Sequence, residues 1–338
     1  MQKACESKIT MSNNKETAIA PSNIAFIKYW GRKDEELRLP DNGSISMNLS
    51  GLLTTTTIEF SPGFSEDTVL INDQQEASES KRVTEHLNRI RTMANIDYKA
   101  KVVSKNNFPI GTGLSSSASG FAALTVSAAK AAGLTLSEKE LSILARQGSG
   151  SACRSIPDGF VEWLNGDTDE TSYAVSLYPP DHWDIVDIVA IVSKARKEVS
   201  TTEGQKLAQT SPFMSLRLAR MQEKINLAKM YLEQKNFPAL GELIEAEALE
   251  MHAIMLTSTP SLIYWLPGTI EVMHAVKRWR KEDLQVYFTV NTGQDIHLIC
   301  KREDMDKVIQ KTTELSSVQN TIINFPAVGT HLQDDHLF

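Results

Sequence analysis

Hydrophobic and polar residues follow strand-like patterns over several segments in the first half of the chain. Residues 17–31 and 54–60 are rich in β-branched and aromatic residues that alternate with polar ones, which predicts strands. Gly51 interrupts the stretch from 44 to 60, so we expect two strands there rather than one. Residues 98–108 have the same character and predict a further strand.

Helical patterns separate these strands. Residues 78–95 repeat apolar residues at helical spacing, and the alanine-rich segment 117–133 predicts a second helix. Ser137 and Glu140 form the capping-box pattern that begins a third helix. The alternation of strands and helices predicts a mixed α/β fold.

The pattern begins again near residue 184. The predicted elements there are a buried strand over 183–193, helices over about 211–235, 237–256 and 266–282, and paired strands over 285–291 and 297–302. We therefore predict three parts: a mobile tail over 1–16, an N-terminal lobe over 17–183 and a C-terminal lobe over 184–338.

Composition narrows the class of protein. The chain has 338 residues, of which 41% are hydrophobic and 23% charged, as in ordinary globular proteins. With 35 basic and 42 acidic residues the net charge is −7, which argues against binding to nucleic acid or to anionic membranes. The three cysteines are far apart, and neither a signal peptide nor a membrane-spanning run is recognisable. A cytoplasmic protein is the expectation.

The segment PIGTGLSSSASG, residues 109–120, places glycines and hydroxyls just before the alanine-rich helix. In a strand–loop–helix setting, glycines let backbone N–H groups converge, and the helix N-terminus adds partial positive charge. Such a loop binds phosphate, although it has neither the lysine of a P-loop nor the GxGxxG spacing. The alternative is a serine-rich cap on a closely packed helix. On the loop alone we favour phosphate binding.

Two other segments concentrate polar side chains. Residues 23–33 bring Asn23, Lys28 and Arg32 together with two aromatic residues after a predicted strand. Residues 146–155 place Ser149, Ser151 and Arg154 beside two glycines at the end of a helix. Taken singly, each residue is better explained as core aromatic or surface ion pair, because isolated residues rarely mark a site.

Together these segments resemble a known family. NIAFIKYWGRKDEELRLP, NNFPIGTGLSSSASG, RQGSGSACRSIPDGFVEW and TSPF occur in the order found in the mevalonate diphosphate decarboxylases of the GHMP kinase superfamily. The resemblance covers most of residues 17–300. It implies a two-lobed α/β fold with a ribosomal-protein S5-like N-terminal lobe and a ferredoxin-like α+β C-terminal lobe, with the ligands held in the cleft between them.

The resemblance also implies the reaction and its cofactors, ATP and Mg²⁺. The γ-phosphate of ATP goes to the C3 hydroxyl of mevalonate 5-diphosphate. Phosphate and CO₂ then leave, which gives isopentenyl diphosphate and ADP. Phosphoryl transfer depends mostly on positioning and charge stabilisation, which backbone amides, Mg²⁺ and a lysine supply.

Residue by residue, the resemblance implies three sets of site residues. Arg154 would grip the substrate carboxylate with its planar guanidinium, and Lys28 would neutralise the transferring phosphate. The remaining substrate-binding residues would be Asn23, Tyr29, Trp30, Arg82, Ser149 and Ser151. The ATP-binding residues would be Gly111, Gly113, Leu114, Ser115, Ser116, Ser117, Ser200 and Thr201, with Ser116 reaching Mg²⁺ through ATP.

One position departs from the family pattern. The family has a catalytic Asp in a Phe-Asp-Ala-Gly-Pro-Asn motif, where this chain has Asn291, and Asp295 follows four residues later. An amide does not accept a proton as a carboxylate does. Three explanations compete for Asn291. It is an engineered substitution, or it belongs to a natural variant that relies on positioning or on Asp295. In the third explanation the protein binds its ligands without converting them. We favour the first two explanations jointly over the third.

The alternatives for the function follow from the same segments. The resemblance slightly favours the diphosphate over mevalonate 5-phosphate, the substrate of phosphomevalonate decarboxylases, which make isopentenyl phosphate. A small-molecule kinase of the superfamily would share the loop at 109–120 but is not expected to carry both IKYWG and GSGSACRS. A homodimer is a further expectation of the resemblance.

Overall fold

The computed structural model describes residues 15–338. Its strands are β1 Lys15–Ile27, β2 Arg32–Asp34, β3 Leu39–Pro40, β4 Ser44–Ser61, β5 Thr68–Ile71, β6 Lys99–Asn106, β7 Phe160–Trp163, β8 Ala174–Tyr178, β9 Ile185–Ile191, β10 Val286–Thr289, β11 Ile296–Lys301, β12 Asn320–Asn324 and β13 His331–Gln333. Its helices are α1 Ala77–Ala94, α2 Ser116–Ala131, α3 Glu138–Gly148, α4 Thr201–Gln205, α5 Met214–Glu233, α6 Phe237–Leu256, α7 Pro267–Lys281 and α8 Met305–Thr313. Short 3₁₀ helices cover Gly150–Ser155, Pro180–His182, Ala208–Thr210 and Arg302–Asp304.

Six strands between Lys15 and Tyr178 and the last strand, β13, form a seven-stranded sheet with α1, α2 and α3 packed against it. The strands run in the order β13-β1-β4-β6-β5, and β7 and β8 extend the sheet from β4. Small buried residues of α2, among them Ala122 and Ala128, let this helix lie close to the sheet. The mixed α/β architecture predicted from the sequence is confirmed.

The strand β4 is longer than the sequence predicts. Gly51 was expected to divide it, but one strand runs from Ser44 to Ser61. A Cβ at Gly51 would lie 2.6 Å from the carbonyl oxygen of Ile323. Glycine at this position therefore permits close approach of the second sheet rather than a turn.

The second sheet is fully antiparallel and has the order β10-β11-β9-β12. One face of this sheet packs against α7 and α8 through residues such as Val272 and Val308. A further core joins the two sheets: Ile24 and Met47 of the first lie in one cluster with Val189 of the second and Ile225 of α5. This shared core fixes the two sheets relative to each other, so the loops between them form a defined cleft.

Both ends of the described chain depart from the predicted lobes. Lys15 and Glu16, expected in the tail, begin β1, and the rest of the predicted tail lies outside the described residues. The last strand, β13, pairs with β1 in the first sheet, with Thr17 opposite Gln333. The predicted lobe over 184–338 therefore does not form one sheet. No helix within residues 15–338 is long and apolar enough to cross a membrane.

Candidate active site

A cavity of about 410 Å³ lies where the two sheets meet. Its walls come from the end of β1, the start of α1, the loop before α2, the 3₁₀ helix Gly150–Ser155, and the loops after β9 and β10. Predicted residues that line it are Lys28, Tyr29, Arg82, Gly111, Gly113, Ser115, Ser116, Ser117, Ser149, Ser151, Arg154, Ser200, Thr201 and Asn291. The volume is in the usual range for small-molecule sites, about 300–1,000 Å³.

The loop before α2 presents backbone donors to the cavity. Gly111 and Gly113 have φ angles of 78° and 109°, and Ser115 at the helix N-cap has a φ of 58°. The side chain of Ser115 makes no capping hydrogen bond to α2, so the first N–H groups of this helix are not used by their own N-cap residue and suit a ligand. A Cβ on Gly113 would lie 2.6 Å from the Cα of Gly293, which closes the loop against the second sheet. This arrangement suits a phosphate.

Arg154 is a buried cation in the cavity wall. Its guanidinium donates to Ser44 Oγ at 2.7 Å and to Asn23 Oδ1 at 3.1 Å, both of which are neutral acceptors. Its Nε has no partner in the part of the chain that the structure describes. Burial lowers the pKa of Arg154, yet a guanidinium stays protonated at neutral pH. A buried, unpaired guanidinium beside a cavity favours a carboxylate or phosphate ligand.

Lys28 and Asn291 meet at the junction between the sheets. Lys28 Nζ donates to Asn291 Oδ1 at 3.2 Å and to the carbonyl oxygen of Ala25 at 2.7 Å. Asn291 Nδ2 donates to Ser115 Oγ at 3.0 Å. This hydrogen bond links position 291, where the chain differs from the family pattern, to the glycine-rich loop. The residue at position 291 therefore lies between the lysine and the predicted phosphate site.

The remaining predicted substrate residues form a polar wall. Tyr29 accepts a hydrogen bond from Arg32 Nε at 2.7 Å through its hydroxyl oxygen. Ser149 donates to Ser117 Oγ at 3.2 Å, so the wall and the glycine-rich loop are connected. Arg82 donates to the carboxylate of Glu79 at 3.0 Å and keeps its guanidinium at the cavity mouth.

Three predicted residues do not line the cavity. Trp30 is fully buried in a core cluster with Met214 and Met251, whereas the neighbouring Tyr29 packs against a different cluster. Leu114 is also buried, and its carbonyl oxygen accepts from Ser22. Asn23 acts behind the wall by contacting Arg154.

Asp295, the alternative acid, lies outside the cavity wall. Its Oδ1 accepts from the backbone N–H of Val192 at 3.0 Å. Burial raises the pKa of Asp295 to about 6. The side chain thus anchors the end of β9, and the structure does not bring it to the site.

Lys197 was missed by the sequence interpretation. It lines the cavity from the loop after β9, with Nζ 2.6 Å from Thr201 Oγ1 and 2.7 Å from the carbonyl oxygen of Thr292. Burial lowers its pKa to about 8. Its backbone N–H donates to the carbonyl oxygen of Gly111 at 3.2 Å. The only sequence signal was a short basic run after a strand.

His252 was also missed, and it holds the backbone at Asn291. Its Nε2 lies 2.9 Å from the carbonyl oxygen of Asn291, and its ring stacks on Trp265 with centroids 4.6 Å apart. A carbonyl oxygen only accepts, so Nε2 carries the proton. Burial lowers the pKa of His252 to about 3, which keeps the ring neutral.

The residues fit magnesium only as a companion of a bound phosphate. Within residues 15–338 no group of three or more His, Cys, Asp or Glu side chains is placed to hold a metal ion. Mg²⁺ commonly keeps several waters and binds through substrate phosphates, with few protein ligands. Ser116, at the first position of α2, is the hydroxyl best placed to join such a shell.

The far end of the cavity is apolar. Val69, Val83, Val102, Phe121 and Leu124 line it, between β5, β6 and the helices α1 and α2. An apolar end joined to a loop of backbone donors suits a flat base attached to phosphates.

Comparison with known families gives two matches along the chain. Residues 20–174 match the diphosphomevalonate decarboxylase-like N-terminal domain, and residues 187–333 match the mevalonate 5-diphosphate decarboxylase C-terminal domain.

Individual proteins agree with these matches. A phosphomevalonate decarboxylase of Haloferax volcanii is 35% identical over 298 residues, which cover 87% of this chain and 90% of that protein. A mevalonate diphosphate decarboxylase structure from Enterococcus faecalis has a TM-score of 0.89 and 36% identity, covering 95% of this chain and 99% of that one. A structure described as MDDEF in complex with MVAPP, AMPPCP and magnesium has a TM-score of 0.90 and 37% identity, with the same coverage.

Proposed function

The chain belongs to the mevalonate diphosphate decarboxylase family, and we propose that it catalyses the ATP-dependent decarboxylation of a 5-phosphorylated mevalonate. The products are ADP, phosphate, CO₂ and an isopentenyl phosphate ester. The observation that carries this proposal is Arg154, a buried guanidinium that lines the cavity, donates to two neutral oxygens and has no ion-pair partner among residues 15–338. A decarboxylase needs a cation at this place because its substrate is a carboxylate.

ATP is proposed to extend along the cavity. Its base fits the apolar end near Val102 and Phe121, and its phosphates fit the loop with Gly111 and Gly113. Lys197 lies against the same loop and supplies a positive group beside the phosphates. Mg²⁺ neutralises phosphate charge when it is bound with ATP.

The acid substrate is proposed to occupy the polar wall. Arg154 holds the carboxylate, with Asn23 behind it, and Ser149 and Ser151 add hydrogen bonds. Tyr29 closes the wall. The C3 hydroxyl then points toward Lys28 and the glycine-rich loop, where the γ-phosphate arrives.

Arg32 and Arg82 line the cavity where we propose the 5-position of the substrate to lie, and they suit a phosphate or a diphosphate there. We favour the diphosphate, in line with the names of the matched families. The Haloferax relative, named for the monophosphate, supports the alternative substrate. Nothing in the comparisons bears out the hypothesis that Asn291 leaves the chain inactive. A cytoplasmic homodimer completes the proposal and rests on the sequence alone.

The test measures ADP and CO₂ together with each substrate. We expect equal amounts of both products, and at least about tenfold tighter binding of the diphosphate with AMPPCP present, or about 1.4 kcal/mol. Tighter binding of the monophosphate would reassign the chain to phosphomevalonate decarboxylation. ADP without CO₂ would instead identify a small-molecule kinase.

A further inference from the structure

The side-chain amide of Asn291 has one orientation that satisfies its neighbours. Its Nδ2 lies 3.4 Å from the carbonyl oxygen of Asn23 and 3.0 Å from Ser115 Oγ. Because a carbonyl oxygen only accepts, the NH₂ group must face Asn23. The amide oxygen is therefore directed at Lys28 Nζ, 3.2 Å away.

Lys28 Nζ is held by two neutral acceptors, the amide oxygen of Asn291 and the carbonyl oxygen of Ala25. Among residues 15–338 no carboxylate forms an ion pair with this nitrogen within 4.0 Å. A lysine nitrogen has three positions beyond its carbon, and two are taken by these acceptors. These two contacts leave the third position open, and Lys28 is one of the residues that line the cavity.

Charged groups surround Lys28 from four elements: Glu247 on α6, Arg217 on α5, Arg154 in the 3₁₀ helix and Asp187 on β9. Burial is the strongest influence and lowers the pKa of Lys28 well below its usual value. Arg154 and Arg217 lower it further, whereas Glu247 and Asp187 oppose the shift.

The opposing carboxylate is largely committed to other cations. Glu247 contacts Arg217 at 2.6 Å and Lys224 at 2.8 Å, and it receives only the backbone N–H of Lys28, at 3.1 Å. His252, on the same helix, is neutral and contributes no charge. The surroundings of Lys28 therefore favour the uncharged amine.

We propose that Lys28 Nζ accepts the proton of the substrate's C3 hydroxyl, with Asn291 Oδ1 and the Ala25 carbonyl directing its lone pair into the cavity. This inference rests on the proposed function. A carboxylate at position 291 would pair with Lys28, keep it charged and take the proton itself. Asn291 removes that pairing, and the lysine takes over the role of base.

The step balances as follows. The hydroxyl oxygen forms a bond to the γ-phosphorus, and the bond from that phosphorus to the β–γ bridging oxygen breaks, with its electron pair leaving on ADP. The hydroxyl proton moves to the lone pair of Lys28, which becomes an ammonium group. That ammonium then lies beside the new phosphate ester and returns the proton to the phosphate when the C–O bond breaks.

The kinetic test compares four proteins across pH: the parent, Lys28→Arg, Asn291→Asp and the double variant. Arginine stays protonated and has no lone pair to accept the proton, so Lys28→Arg should lower kcat at least about 10²-fold. The Asn291→Asp variant should stay active, with the acid limb of its kcat profile at lower pH than in the parent. The double variant should recover most of the activity of Asn291→Asp, because the carboxylate takes the proton.

Lys81→Arg is the matched control, since its side chain is 79% exposed, and it should match the parent. A Lys28→Arg variant within about threefold of the parent kcat would overturn the proposal, because a base contributes about 10²–10⁴-fold.

A second measurement is independent of turnover. Lysine side-chain NMR on the ligand-free protein, with Lys28 assigned by its absence in Lys28→Arg, gives the protonation of each lysine against pH. We expect Lys28 to lose its proton at lower pH than Lys81, and Asn291→Asp to move that titration upward. If Lys28 titrates with the exposed lysines, the inference is wrong even in an active enzyme. If it titrates low but neither substrate yields ADP and CO₂, the proposed function is wrong and the inference falls with it.

Discussion

Two sets of buried basic side chains lie close to the cavity, and the fold treats them differently. Arg217 and Lys224 on α5 share the carboxylate of Glu247, at 2.6 and 2.8 Å. Arg154 and Lys28 donate to hydroxyl, amide and carbonyl oxygens, and no carboxylate among residues 15–338 forms an ion pair with either side chain. The first set is complete within the protein, whereas the second lacks an anion.

This difference separates structure from function. Removing a charge from water costs several kcal/mol, and a partner of opposite charge offsets that cost. For Arg217 the partner is part of the fold, so the pair stabilises the contact between α5 and α6. For Arg154 the counter-charge has to come from a ligand, so the site favours the binding of an acid substrate.

The largest expected effect is on stability, from Glu247→Gln. This change leaves Arg217 and Lys224 without their buried carboxylate, which should lower the free energy of unfolding by about 3–5 kcal/mol. Glu250→Gln is the matched control, because Glu250 contacts the same two cations but its side chain is 30% exposed. Urea unfolding measures both. A smaller loss for Glu247→Gln than for Glu250→Gln would contradict the comparison.

The same pair predicts a pH dependence. Burial by itself raises the pKa of a carboxyl group, but Arg217 and Lys224 outweigh it and bring the pKa of Glu247 below its usual value. The unfolded chain therefore binds a proton more readily than the fold, so this contribution is present above about pH 4.3 and is lost as pH falls further. In Glu247→Gln this part of the acid dependence should be absent.

The third prediction concerns Arg154→Ala, the counterpart at the cavity. Losing a charge-assisted pair in a closed site should weaken binding of the acid substrate by about 2–5 kcal/mol, with little change in affinity for ATP. The free energy of unfolding should not fall as it does for Glu247→Gln, because no buried carboxylate is left behind. Calorimetric titration and urea unfolding of the same variant give both numbers. Unchanged substrate affinity would remove Arg154 from the site.

Much of the site was predictable because it lies on short, distinctive segments. Gly111 and Gly113 have the positive φ that the phosphate-loop interpretation requires, whereas Arg154 became a candidate only through the family segment in which it lies. The structure places Trp30 in a core cluster away from the cavity and its neighbour Tyr29 in the cavity wall, a difference that a linear motif does not reveal. From residue type alone, Tyr29 and Trp30 were equal candidates for the substrate-binding wall.

The rest depends on contacts between distant segments. Lys197 reaches the cavity only because its loop lies against Gly111. Glu247 lies on a helix that is buried on several faces, and no periodicity distinguishes its carboxylate from exposed ones. The bond from Lys28 to Asn291 joins residues 263 positions apart. Sequence patterns describe local structure, and these pairings are properties of the assembled fold.

The smallest expected effect comes from a third kind of pair, at the cavity mouth. Arg196, in the loop after β9, contacts Glu76 just before α1 at 2.6 Å, but the two side chains are 55% and 35% exposed. Water and salt screen such a pair, so Glu76→Gln should change the free energy of unfolding by only about 0–1 kcal/mol. Urea unfolding at low and high salt checks this, because the small difference should shrink as salt is added. If Glu76→Gln lowered the free energy of unfolding as much as Glu247→Gln does, pairing rather than burial would set the cost of removing a charge. The distinction between the two sets of basic side chains would then lose its physical basis.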